Sequence, residues 1–187
     1  MNKKETIVTE AKRLFGEYGY LGFTLKQLAQ ACDMTAPALY YFYSSKADLF
    51  RDCLLSELED RNALILHCIA QATSLETFAA AFAEDALTIC ETRHFRVGSA
   101  LQEVIHLPAE QQAHLYDAYE TLLVAPLEAY LARTLPGPVP GVSFHLLGHM
   151  TINLATFTAV QIAQTPRTEL TALVALVITN LACAARV

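Results

Sequence analysis

The segment TAPALYYFYSSK, residues 35–46, combines hydroxyl groups, aromatic rings and a lysine. Tyrosine O–H and lysine N–H groups donate hydrogen bonds to phosphate oxygens, contacts that position a protein on a nucleic acid. Its leading residues carry small groups that suit thymine methyls better than hydrogen-bond readout. We therefore expect phosphate contacts from one part of the segment and base contacts from its tip, which consists of Thr35, Ala36, Pro37 and Ala38.

The same segment could instead be a buried core helix. Helical geometry separates its rings, since Leu39 and Phe42 lie three residues apart on one face while Tyr40 and Tyr41 project elsewhere. We expect the first pair to pack on the preceding helices and the two tyrosines to face a partner.

A second group with possible chemistry is the pair His145 and His149, four residues apart on a predicted helix. Such a pair can bind a metal ion, but it needs a third ligand and usually a fourth. No HExxH glutamate accompanies it, and no GxSxG, phosphate-binding loop or dinucleotide fingerprint occurs. We expect core or pocket histidines, no metal, no cofactor and no enzymatic activity; a helical metalloenzyme using the pair is a competing hypothesis.

Charge is distributed unevenly along the chain of 187 residues, whose net charge is −6. Residues 1–51 carry seven basic and five acidic side chains, whereas the remainder carries six and fourteen. This asymmetry indicates an N-terminal part that faces anions and a body that repels nucleic acid. A hydrophobic content of 53% further suggests a large apolar interface, an internal cavity, or both.

The five cysteines are scattered and lie among apolar neighbours, so we expect reduced core thiols. The charged N-terminus does not resemble a signal peptide, and the longest apolar runs are too short to span a bilayer. These features predict a soluble cytoplasmic protein without a membrane partner.

Helical periodicity recurs throughout, which predicts an all-α fold of about nine helices. Two short helices after the first one are spaced like a helix-turn-helix. Thr24 and Thr35 are expected to cap them, Asp33 to adopt a left-handed conformation between them, and Pro37 to lie in a first turn. We place a helix-turn-helix DNA-binding domain at 1–46 and a larger helical domain at 47–187.

Longer helices follow in the body. Ser44 or Ser45 should cap a helix reaching about Ala70, and Pro126 should kink a helix that begins at Pro108. The segment LPGPVPG, residues 135–141, is a linker. Two strongly apolar helices, 142–164 and 167–186, complete the chain.

The run GFTLKQLAQACDMTAPALYYFYSSKADLF resembles the DNA-binding signature of the TetR family of bacterial transcriptional repressors. It departs from the family at Asp33, where glycine is frequent, and at Phe42-Tyr43, where His-Phe is frequent. The resemblance implies a recognition helix in the major groove of an operator and a homodimer through the last two helices. The matching residues are Phe23, Thr24, Leu28, Ala29, Leu39, Tyr40, Tyr41, Ser45, Lys46 and Leu49.

Chemistry and resemblance together assign the DNA contacts. Lys46 and the free N–H groups of its helix would bind one phosphate, and the hydroxyls of Tyr40 and Tyr41 would bind others. Lys26 would reach a phosphate or a guanine edge. The full predicted interface is Thr24, Lys26, Thr35, Ala36, Pro37, Ala38, Tyr40, Tyr41 and Lys46.

The resemblance also implies that 47–187 is an effector-binding and dimerisation domain, with an effector pocket within residues 60–165. We expect no Arg or Lys in an apolar stretch of this body where it could anchor an acidic ligand, which favours a neutral lipophilic effector. Core packing is an alternative role for every candidate lining residue; these are Phe78, Phe82, Cys90, Leu101, Ile105, Tyr116, Tyr119, Met150 and Phe157.

The resulting prediction is a homodimeric repressor that a small effector releases from a palindromic, double-stranded DNA operator. The alternative is a DNA-binding scaffold whose apolar body docks a protein partner. The sequence leaves activation or repression open, as it does the effector, the operator and the regulated genes.

Overall fold

The computed structural model describes residues 3–92, 94–135, 142–161 and 167–183. These residues form nine helices and no strand, which confirms the predicted all-α fold. They pack into two compact units, one made of Met1–Leu58 and His94–Asp117, the other of Glu59–Arg93 and Ala118–Val187. This division follows packing; the predicted division of function between 1–46 and 47–187 stays a prediction.

The first unit begins with α1 (Lys3–Tyr18), α2 (Leu25–Ala31) and α3 (Ala36–Phe42). Thr24 caps α2 as predicted, within a capping box in which its hydroxyl accepts from the Gln27 N–H and the Gln27 side chain accepts from the Thr24 N–H. Helix α2 therefore begins where local hydrogen bonding satisfies one of its first N–H groups.

The turn between α2 and α3 also follows prediction. Asp33 adopts a left-handed φ of 52°, and the next N–H, that of Met34, donates to the Ala29 carbonyl at 2.8 Å. Thr35 caps α3 by accepting from the Ala38 N–H at 3.4 Å, with proline in the first turn. The turn closes α2 and sets the start of α3.

Aromatic packing holds the first unit together around Phe50, which is 1% exposed. Its ring lies edge-on to Phe15 at 4.8 Å and to Phe95 at 5.9 Å between centroids. Phe50 belongs to α4 (Lys46–Gln71), and Phe95 precedes α6 (Val97–Glu103), which continues as a 3₁₀ turn, Val104–His106. These rings join α1, α4 and the segment before α6 into one core.

The second unit contains α5 (Leu75–Thr92), the later part of α7, α8 (Phe144–Gln161) and α9 (Arg167–Cys183). Helix α7 runs as Ala109–Tyr119, a π-helical turn Glu120–Val124, and Ala125–Thr134. The irregularity expected at Pro126 thus appears as a widened turn just before it, because proline cannot donate to the preceding turn. Of the linker predicted at 135–141, residues 136–141 lie outside the described residues, as do the predicted ends of the last two helices.

Gly148 permits close packing of α8 on α7. A Cβ atom at this position would lie 3.3 Å from the Val124 carbonyl oxygen and 3.3 Å from its Cγ1. Helix α8 therefore approaches the backbone of the π-helical turn more closely than a larger residue would allow.

Replacing Asp33 with glycine should stabilise the protein, because glycine adopts a left-handed φ without the steric cost of a Cβ atom. We expect the free energy of unfolding to rise by about 0.5–1 kcal/mol in urea titrations. Asp33→Val should lower it, since a β-branched side chain tolerates this φ poorly. Equal stability of the two variants would contradict a backbone effect.

Candidate nucleic-acid interface

Buried side chains in and just after α3 hold this helix in place within the helix-turn-helix. Leu39 is fully buried, as predicted, and its carbonyl accepts from the Tyr43 N–H at 3.1 Å. Phe42 is only half-buried, and Tyr43 supplies the second anchor at 3% exposure. Helix α3 ends at Phe42 and Tyr43 is extended, so the chain turns this ring inward. Burial raises the Tyr43 pKa, with a further contribution from Asp52.

The opposite side of α3 carries the exposed tyrosines. Tyr41 is 85% exposed and Tyr40 is 53% exposed, so both hydroxyls reach solvent as the interface prediction requires. The Tyr41 ring packs edge-on against Phe42 at 5.4 Å, which limits its freedom. An exposed but braced phenol can donate to a phosphate at a reduced entropic cost.

The tip of α3 and the start of α2 also lie at the surface. Thr35 and Pro37 are exposed, Ala36 and Ala38 are half-buried, and Thr24 and Lys26 are exposed. The hydroxyls of Thr24 and Thr35 already serve as caps, so each would contact DNA while retaining that role. All these assignments stay predictions.

The Lys46 ammonium makes contacts within the protein, whereas its predicted role is to bind a phosphate. Its ammonium donates to the Phe23 carbonyl and lies 4.1 Å from the centre of the Phe23 ring and 5.3 Å from that of Tyr20. Burial lowers the pKa of this lysine. The phosphate contact stays a prediction, and it requires the ammonium to leave this internal site.

The N-terminus of α4 is occupied by Asp48. Its carboxylate accepts from the hydroxyls of Ser44 at 2.6 Å and Ser45 at 2.7 Å, and from the Gln111 side chain at 2.9 Å. These bonds, that of Ser44 first, lower the Asp48 pKa. A carboxylate here weakens the attraction of the helix terminus for phosphate, so the exposed hydroxyls of α3 are better placed for that contact.

The second unit contains an apolar cavity of about 30 Å³, which has room for one or two water molecules. Within it, the Cys68 thiol donates to the Asp85 carboxylate at 3.2 Å, and burial raises the Cys68 pKa to about 12. The thiol is therefore protonated at neutral pH. The lining consists of Arg61, Leu64, Ile65, Cys68, Phe82, Asp85, Ala86, Ile89, Leu123 and Ile152.

The prediction that no Arg or Lys lies in an apolar stretch of the body is wrong, because Arg61 lies in one. It lines the cavity with Leu64, Ile65 and Cys68, which share its face of α4. The sequence already placed Arg61 on the same helix face as these residues, because side chains spaced three and four apart lie on one face of a helix. The polarity of a ligand in this cavity therefore has to match Arg61 and Asp85.

The structure gathers only some of the predicted pocket residues. Phe82 lines the cavity, and the buried ring of Phe78 stacks on the Phe82 ring at 5.6 Å between centroids. Tyr119 is buried in the second unit and Met150 is 40% exposed. Leu101, Ile105 and Tyr116 belong to the first unit, the last two being exposed. The side chains of Cys90 and Phe157 lie outside the described residues.

Fold and surface together define the class of protein. A short α2 and α3 joined by a tight turn, with α3 anchored on one side and exposed on the other, form a helix-turn-helix DNA-binding module. In the part of the chain that the structure describes, no helix is long and apolar enough to cross a membrane.

Comparison with known proteins shows which family the helix-turn-helix part of the chain resembles. Residues 7–53 match the family model of bacterial regulatory proteins, tetR family. The chain is 27% identical over 124 residues to YezE of Bacillus subtilis (strain 168), described as an uncharacterised HTH-type transcriptional regulator. That match spans 60% of this chain and 64% of the relative, just under two thirds of its length. The helix-turn-helix part of the chain, residues 7–53, is thus similar to the bacterial regulatory proteins of the tetR family.

Solved structures share the fold over nearly the whole chain. AibR in complex with isovaleryl coenzyme A and operator DNA matches with a TM-score of 0.77 and 17% identity, covering 95% of this chain and 98% of that one. FadR from Bacillus subtilis, in complex with stearoyl-CoA, matches with a TM-score of 0.73 and 13% identity, covering 95% and 98%. At these identities the likeness concerns the fold.

Proposed function

We propose that this regulator is a homodimeric repressor that a small lipophilic effector releases from a palindromic operator. The observation that carries the proposal is the two-sided α3, with Leu39 fully buried and Tyr41 85% exposed. Two such helices, one DNA turn apart, would read the two halves of a palindrome. Its partner, DNA, would place the protein in the cytoplasm.

Exposed leucines support the dimer. Leu173 and Leu176 on α9 are 42% and 57% exposed, and Leu146 on α8 is 45% exposed. Large apolar side chains exposed on the last two helices are typical of a surface that another chain covers. A second copy fits best, since a symmetric dimer also supplies the second recognition helix.

The cavity supports an effector that enters by opening the second unit. Its volume of about 30 Å³ is far below the several hundred Å³ of an ordinary ligand site. The proposed effector is lipophilic and has no net charge, because its polar end would contact both Arg61 and Asp85. AibR and FadR were solved with acyl-coenzyme A ligands, so uncharged acyl compounds such as acyl esters are the first to test, with the anionic acyl-coenzyme A thioesters as the comparison.

The small cavity also favours the second candidate, a DNA-binding scaffold whose body docks a protein partner. The two candidates differ in their response to acyl compounds. An effector should raise the melting temperature and lower operator affinity together, whereas a scaffold should show neither change.

Operator binding is tested by electrophoretic mobility shift with DNA from upstream of the protein's own gene. We expect a nanomolar dissociation constant at low salt, and a logarithm of affinity that falls linearly with the logarithm of salt concentration. A scrambled duplex of equal length is the control. Absence of a salt-dependent shift, or equal binding to both duplexes, would count against the proposal.

A further inference from the structure

Four polar side chains of α7 and α8 converge at the surface of the second unit. Glu120 and Glu128 come from α7, and His145 and His149 come from α8. The Nε2 atoms of the two histidines are 3.2 Å apart. Glu120 Oε1 lies 3.2 Å from His149 Nε2, and Glu120 Oε2 lies 3.7 Å from His145 Nε2. The fold thus gives the histidine pair the third ligand that it lacks in the sequence.

These distances match the spacing of ligands around a tetrahedral metal ion. With metal–ligand bonds of about 2.0–2.1 Å, neighbouring ligand atoms lie roughly 3.3–3.4 Å apart. The two ring nitrogens lie close to each other, and each lies close to one oxygen of the same carboxylate. A metal ion among them would accept lone pairs from all three side chains at once.

Glu128 occupies the position of a supporting residue. Its Oε2 lies 3.3 Å from Nδ1 of His145, the ring nitrogen that does not face Glu120 and His149. When Nδ1–H donates to this carboxylate, the Nε2 lone pair is left free for a metal. His149 is braced by the Tyr119 ring at 5.7 Å between centroids. Both imidazoles are therefore held in ligating orientations before a metal arrives.

We propose that Glu120, His145 and His149 form a binding site for a divalent transition metal of the zinc class. Two imidazoles and a carboxylate suit Zn²⁺ better than Mg²⁺ or Ca²⁺, which prefer oxygen ligands only. Water fills the fourth position. The ligand side chains are between 26% and 52% exposed, so the metal exchanges with solvent. Because α7 supplies one ligand and α8 two, the metal fastens these helices together.

This site is independent of the proposed operator and effector. The test uses the full chain without a purification tag, stripped with a chelator and titrated with Zn²⁺ against a fluorescent competitor. We expect one Zn²⁺ per chain and a higher melting temperature on binding. Co²⁺ in place of Zn²⁺ should give the visible absorption of a tetrahedral nitrogen and oxygen site.

Variants separate ligands from bystanders. His145→Ala and His149→Ala should each lower Zn²⁺ affinity at least 100-fold, and Glu120→Gln should lower it similarly. Glu128→Gln should lower affinity about 10- to 100-fold without changing the stoichiometry, as expected of a positioning residue. His67→Ala, at an exposed histidine of α4, should bind Zn²⁺ like the parent protein.

Three results would overturn the proposal. One is no saturable Zn²⁺ binding to the parent protein, which would leave only histidine–carboxylate ion pairs. Another is unchanged affinity in His149→Ala, and the third is a Co²⁺ spectrum of thiolate ligation, which would place the metal on a cysteine. Circular dichroism of each variant shows that a lost site is not a lost fold.

Discussion

Replacing both Leu173 and Leu176 with glutamate should convert the protein to a monomer and lower operator affinity by more than about 100-fold. In a symmetric dimer each substitution appears twice, so four carboxylates would enter an apolar interface, each at a cost of several kcal/mol. A monomer retains one recognition helix and loses the second half-site. Analytical ultracentrifugation measures the mass, and mobility shift measures the affinity.

The matched control is Leu66→Glu, at a leucine of α4 that is 49% exposed. It places one glutamate at similar exposure in the same unit, on a helix other than the last two. We expect it to remain dimeric and to bind the operator normally. A dimer that survives both α9 substitutions would locate the interface elsewhere, provided that the helical content is unchanged.

The double change Tyr40→Phe and Tyr41→Phe should weaken operator binding by about 100-fold per half-site, and so by about 10⁴-fold for the symmetric dimer, without altering the melting temperature. A hydrogen bond to a charged group contributes about 1.5–3 kcal/mol, so each lost hydroxyl should cost roughly tenfold or more. The rings remain, and both side chains are exposed, so the packing of α3 through its buried Leu39 is preserved. Mobility shift at several salt concentrations measures the effect.

Salt dependence distinguishes the tyrosines from a cationic contact. Their neutral hydroxyls displace no counterions, so the double variant should keep the salt slope of the parent, whereas Lys26→Gln should reduce it by about two, one for each protomer of the dimer. Tyr18→Phe is the matched control, because Tyr18 is 52% exposed at the end of α1, outside the proposed interface. Wild-type affinity in the double variant would remove the tyrosines from the phosphate-binding surface.

Helix boundaries were accessible from the sequence because their causes are local. Thr24, Asp33 and Thr35 act on backbone groups within five residues of themselves, and a reader of the sequence can judge those interactions. The same holds for the expected break at Pro126, which removes one N–H from its own helix. The split of α3 into a buried and an exposed side also follows from its period.

Side chains that depend on distant segments were not accessible in this way. Lys46 had the position of a phosphate ligand, but its ammonium binds the Phe23 carbonyl, which lies in the loop before α2. Tyr43 resembled its neighbours in sequence, yet the extended residue after α3 turns its ring into the core. Which of several similar residues is buried depends on the packing that surrounds them.

By itself, the sequence determined the helical class and the recognition module, because repeated periodicity and short-range capping encode them. The tertiary structure decided which polar groups meet. It placed Arg61 and Asp85 in the lining of one cavity, and Glu120 beside His145 and His149 at the surface. Each of these groups draws on different helices, and only the packing of those helices brings together residues so far apart along the chain.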